Sequence, residues 1–117
     1  MTKGDIVLIP FPFTNLSDSK IRPALVLYVG EYDVTVTFIS TKLHWKSEVD
    51  LILIPNEENR LKKESLVKLS KIATLDKVLI KGRLGNIGYG DFVELDENLI
   101  KLFRIENQPN WDKGQEI

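Results

Sequence analysis

Short apolar and β-branched runs, each of strand length and each closed by turn-forming residues, occupy most of the chain up to residue 90. Residues 6–9 (IVLI) and 24–29 (ALVLYV) are the first two. The segment between them, 10–20, holds two prolines and an Asn/Ser/Asp cluster, which places it at the surface outside any ladder. Gly30, Glu31, Tyr32 and Asp33 read as a hairpin turn into a return strand at 34–39, where Val34, Val36 and Phe38 share one face. Ser40 and Thr41 end that strand, and 42–47 form a second loop carrying His44 and Trp45. Residues 49–54 predict a buried strand, stopped by Pro55 and the polar turn Asn56, Glu57, Glu58, Asn59. Leu66, Val67, Leu69 and Ile72 alternate with polar residues as in a half-exposed strand over 65–72. The stretch 75–84, broken at Gly82, reads as a 3₁₀ turn leading into an edge strand, and Gly85, Gly88 and Gly90 punctuate the run from there to the next element.

From Asp91 the period becomes helical. Phe92, Leu95, Leu99, Leu102 and Phe103 recur at helical spacing, with Val93 and Ile100 widening the stripe, which predicts an amphipathic helix over 91–105 packed across the open end of the sheet. The remaining 106–117 form a polar tail in which Trp111 is the one anchor. Five to seven short strands and one helix in 117 residues give a mainly β (α+β) class: a small SH3-like β-barrel with a C-terminal helix, one domain over 1–105 followed by the tail.

Composition removes several chemistries. The absence of cysteine excludes disulfides, thiolate metal sites and cysteine nucleophiles. One histidine, His44, argues against a His-rich metal centre or a two-histidine nuclease. Asp5 has no second acid at ligand spacing, so its expected role is to stabilise the N-terminal strand, and neither metal nor cofactor is expected. No apolar run approaches the roughly 20 residues that span a bilayer, and the N-terminus lacks a signal peptide's apolar core, so a cytoplasmic protein is expected.

Net charge is −1 at pH 7, but it is unevenly spread. Residues 60–83 carry eight bases against two acids, a local +6, and 84–117 carry three bases against seven acids, a local −4. The basic stretch is either a solvated lysine face or the wall of a groove for a phosphodiester backbone. Arg22, followed by Pro23, adds a sharper signal. Proline biases Arg22 toward extended backbone, and a guanidinium fixed beside a loop presents a planar fork that matches phosphate. A guanidinium has five N–H donors and holds its charge, which suits it to stabilising charge rather than donating protons. The plain alternative is an ion pair with Asp18 or Asp5.

GDIVLIPFPFTNLSDSKIRPALVL (4–27) resembles the opening of the MazF/PemK-like toxins of type II toxin-antitoxin systems: Gly-Asp, an apolar strand, a variable loop, then Arg-Pro before an aliphatic strand. FISTK (38–42) is similar to the family's strand ending in a hydroxyl residue, and LSKIATLDKVLIKGRLGNI (69–87) to its segment before the last helix. The three blocks occur in family order over about residues 1–105.

The resemblance implies a metal-independent endoribonuclease that cleaves single-stranded RNA by 2′-hydroxyl attack, leaving a 2′,3′-cyclic phosphate, and that acts as a homodimer blocked by a small antitoxin. It implies that Arg22 and a hydroxyl are catalytic. Ser40 falls on the position of the usual threonine, and Thr41 is one register step away. Lys20, Lys42 and Lys71 are then backbone contacts and Trp45 a base-stacking platform, against the alternatives of solvated lysines and a loop or interface tryptophan. A gyrase poison of the CcdB type and a non-catalytic SH3-like binding module are the competing functions; the Trp-Gly-Ile ending of the former is absent here.

Overall fold

The computed structural model describes residues 1–11 and 20–106. Six strands, β1 (Asp5–Phe11), β2 (Lys20–Val29), β3 (Asp33–Ser40), β4 (Leu51–Leu53), β5 (Ser65–Asp76) and β6 (Gly82–Asn86), precede one helix, α1 (Tyr89–Phe103). The strands form one antiparallel sheet in the order β4-β5-β3-β2-β1-β6, curled into a half-barrel. No described helix is long and apolar enough to cross a membrane.

Alternation sends side chains of neighbouring strands to two cores. Ile6, Leu25, Ile39, Leu51, Leu53, Val67 and Leu69 face α1, which contributes Leu95 fully and Phe92, Leu99 and Leu102 partly. Val7, Ile9, Ala24, Val26, Val34 and Val36 line the other face, with Phe38 packed against them, so the expected common face of Val34, Val36 and Phe38 is present. At roughly 25 cal/mol per Å² of apolar surface removed from water, these two layers are the main drive for folding.

The edge strand β6 is covered by the turn after β4. Asn86 N donates to Glu58 O at 3.0 Å, and a Cβ on Gly85 would lie 2.3 Å from that same carbonyl oxygen, so only glycine admits the approach. The turn is rigid enough to do this because Asn56 and Asn59 lock each other: each side-chain oxygen accepts the other's backbone N–H, at 2.7 and 3.1 Å. Asn59 also accepts from Leu61 N and donates to Ile54 O.

Several bounds differ from the sequence reading. β2 begins at Lys20, because Ile21 and Arg22 pair with Pro10 and Ile9; tertiary pairing overrides the loop composition. The strand expected over 49–54 contracts to Leu51–Leu53, and the one expected over 65–72 extends to Asp76. Leu66, Val67 and Leu69 are all buried rather than half-exposed, since β5 has β4 on one side and β3 on the other. The 3₁₀ turn and edge strand expected within 75–84 occur at Lys77–Leu79 and Gly82–Asn86. The helix spans Tyr89–Phe103, with Gly88 as N-cap and Arg104 in a left-handed C-cap. Phe103, Ile100 and Val93 stay exposed rather than packing on the sheet. Trp111 lies outside the described residues.

Candidate functional site

The sheet forks at Pro23. Pro23 lies opposite Leu8, whose carbonyl is turned away to accept Lys81 N, so the Pro23 nitrogen faces β3. Proline has no N–H to give there. The β2–β3 ladder accordingly begins only at Ala24 opposite Phe38, while β2 runs on beside β1 and the end of β3 runs on beside β5. Between the two prongs opens a cleft of about 470 Å³.

Of the residues singled out in the sequence, Arg22, Ser40, Thr41, Lys42, Trp45 and Lys71 all line this cleft. Lys20 does not; it starts β2 opposite Phe11. Arg22 enters from the β2 prong, beside Ile9. It makes no ion pair among the described residues: Asp5 instead pairs with Arg83 at 3.2 Å and accepts Thr2 N at 2.9 Å, and Asp18 lies outside the described residues. Ser40 ends β3 and its Oγ accepts Lys42 N at 3.1 Å, a local turn that leaves the hydroxyl proton available. Thr41 follows, exposed, its carbonyl accepting Leu43 N. Lys42 Nζ sits 4.5 Å from the Trp45 ring centroid, a cation–π contact that lays the half-exposed indole along the rim. Phe11 and Phe38 meet edge-to-face at 5.9 Å on the cleft floor.

The far wall is built by a bulge the sequence does not announce. One step along β3, from Thr37 to Phe38, moves the partner on β5 from Ile72 to Lys68, so Leu69, Ser70 and Lys71 bow out of the ladder. Thr37 Oγ1 donates to Lys68 O at 2.6 Å, and Leu69 N donates to the buried Asp50 Oδ1 at 2.9 Å, which satisfies the distorted backbone. Asp50 Oδ2 accepts Ser47 N, Ser47 Oγ and, at 2.7 Å, Lys68 Nζ. Burial pushes the Asp50 carboxyl up, but the hydrogen bonds from Lys68, Ser47 and Leu69 outweigh it and hold the group below its ordinary value. Lys68, Ser65, Phe11 and Phe38 were not singled out as site residues from sequence, yet all line the cleft. A lysine set between Val67 and Leu69 in a buried run is the signal that was present.

The described lining thus holds four cations (Arg22, Lys42, Lys68, Lys71), three hydroxyls and three aromatic rings, and neither a carboxylate nor an imidazole. Of the basic stretch 60–83, Lys68 and Lys71 reach the cleft, whereas Arg83 is engaged by Asp5. No group of three or more His, Asp or Glu among the described residues could hold a metal. Chemically the arrangement suits an extended polyanion with flat bases.

A family model described as PemK-like, MazF-like toxin of type II toxin-antitoxin system matches residues 2–103. No curated protein sequence matches. Among solved structures, an endoribonuclease in complex with its cognate antitoxin from Mycobacterial species is similar over 93% of this chain and 99% of its own, with a TM-score of 0.71 at 13% identity. The Mycobacterium tuberculosis toxin MazF-mt6 is similar over 87% and 98%, with a TM-score of 0.67 at 19% identity. MazF from Deinococcus radiodurans is similar over 90% and 97%, with a TM-score of 0.68 at 18% identity.

Proposed function

The chain belongs to the PemK-like, MazF-like toxins of type II toxin-antitoxin systems, and on that premise we propose that it is an endoribonuclease whose active site is the cleft between β2 and β3. The observation that carries this is the convergence of Arg22 and Ser40, 18 positions apart in sequence, on a cleft lined by cations and aromatic rings. Single-stranded RNA is the polyanion such a lining fits: the cations track phosphates and Trp45 stacks a base, the latter worth about 1–3 kcal/mol.

In the proposed reaction the 2′-oxygen bonds to the adjacent phosphorus and the bond to the 5′-oxygen breaks. The products are a 2′,3′-cyclic phosphate and a 5′-hydroxyl, the 2′ proton being lost and the leaving oxygen gaining one. Negative charge builds on the equatorial oxygens, and Arg22, unpaired among the described residues, is the donor fork placed to stabilise it. The Ser40 hydroxyl, its lone pair used by Lys42 N, donates to a non-bridging oxygen; Thr41 lies next along the same wall. No step in this scheme requires a metal.

A cognate antitoxin is expected as partner, as the mycobacterial relative has one, its proposed seat is the same cleft, and a homodimer is expected because one cleft is too short for several nucleotides. Sedimentation showing only a 13.4 kDa species at micromolar concentration would remove the dimer. The decisive assay incubates purified protein with single-stranded RNA in EDTA and examines the ends formed. Cleavage to cyclic phosphate ends is expected; intact RNA together with inhibition of gyrase on supercoiled DNA would overturn the reading.

A further inference from the structure

Lys68 differs from the other cations of the cleft. Its side chain is only 14% exposed, and its ammonium donates to the fully buried Asp50 carboxylate at 2.7 Å and to the carbonyl of Trp45 at 2.8 Å. An ammonium carries three N–H donors, so two are consumed inside the wall. Lys68 nonetheless lines the cleft. We propose that Lys68 is a phosphate-binding residue of the cleft, clamped by Asp50 and the Trp45 carbonyl so that its third N–H is offered in one fixed direction to the bound strand. This rests on the ribonuclease reading and adds to it a residue and a device.

The clamp settles what kind of contact this is. A free surface lysine attracts phosphate as a mobile point charge and loses side-chain freedom when it binds. Lys68 has already lost that freedom to the fold, and its charge is balanced by Asp50. It therefore contributes direction rather than long-range attraction. The same carboxylate receives Ser47 from the loop that carries Trp45 and Leu69 from the bulge that carries Lys71. One buried anion thus sets the mutual placement of a phosphate donor, a stacking ring and a second lysine. The pairing of β4 with β5, Leu51 opposite Val67, brings Asp50 next to Lys68.

The test is charge accounting in RNA binding, measured by titrating a labelled single-stranded RNA over a series of salt concentrations, together with single-turnover cleavage. Asp50→Asn releases Lys68 as an unbalanced cation. The log-log salt slope should steepen by about 0.7, as for one further phosphate neutralised on a single strand, while cleavage at saturating RNA slows. Lys68→Met combined with Asp50→Asn leaves neither half of the pair stranded. It should restore the wild-type slope yet bind RNA about tenfold more weakly, the loss of one charged hydrogen bond. If Asp50→Asn alone melts below the assay temperature, the double variant carries the comparison. A folded double variant that binds and cleaves as wild type would make Lys68 a strut and overturn the inference while leaving the ribonuclease reading intact. Wild-type protein that neither binds nor cleaves RNA would remove both.

Discussion

Arg22 and Ser40 stand on the two prongs of a fork: Arg22 on β2, held by its pairing with Ile9, and Ser40 on β3, held by its pairing with Leu66. Neither pairing involves the other's strand, so both groups line the cleft without a ladder between them. Arg22→Ala is expected to lose about 10² to 10³-fold or more in cleavage while keeping fold and most RNA affinity, because the contact proposed for it is to charge present mainly in the transition state. Arg22→Lys should recover little, a point charge being no substitute for a fork. Ser40→Ala should impair cleavage more than Thr41→Ala. The Arg22→Ala, Ser40→Ala pair should cost less than the product of the singles if both act on one phosphate. Wild-type turnover by folded Arg22→Ala would make the arginine structural.

Trp45 is held by its neighbours rather than by a core: Lys42 over its ring, His44 at its edge and Lys68 on its carbonyl. Trp45→Ala should therefore leave the melting temperature nearly unchanged and weaken RNA binding by about 1–3 kcal/mol. A large loss of thermal stability with unchanged affinity would assign the indole to packing instead.

Acid should unlock the far wall. The folded-state pKa of Asp50 lies below its ordinary 3.8, so its charged form is favoured by folding. That stabilisation is fully present above the unfolded value and disappears as pH falls through the folded one. Thermal melts of wild type between pH 6 and about 2 should show a component of acid destabilisation that Asp50→Asn lacks. Parallel curves for the two proteins would show that the carboxylate contributes no pH-linked stability.

Gly85 and Gly82 make a matched pair within β6. A methyl group at Gly85 meets the Glu58 carbonyl at 2.3 Å, whereas one at Gly82 meets nothing within 4 Å. Gly85→Ala should cost about 2 to 3 kcal/mol, measured by urea denaturation, through displacement of the turn that covers the edge strand. Gly82→Ala should be close to neutral. Equal effects at both positions would show that strand propensity, and not the backbone approach, is what glycine provides.

The elements that sequence made legible are those whose signal is local. Arg22-Pro23, the hydroxyls closing β3 and the helical stripe of Phe92, Leu95, Leu99 and Leu102 each occupy a short window, and the cleft or the core receives them as expected. The Asp50–Lys68 clamp was not legible, because its partners are 18 residues apart and meet only through the β4–β5 register and the bulge in β5. The length of β5 was missed for the same reason: residues 73–76 do not look like a strand until Asp33 to Val36 supply the opposite edge. Lys20 reads as the end of a loop in sequence, whereas it is the first residue of β2.

The imino ring of Pro23 has a bearing on how the cleft can vary. Where an ordinary residue stands in an interior strand, an aperture beside it can be zipped shut by a few hydrogen bonds, and its width becomes a matter of temperature, salt or bound partner. At Pro23 the hydrogen needed for the first stitch does not exist. The mouth of the site therefore has one ladder bond fewer with which to draw its walls together than any other residue at this position would allow.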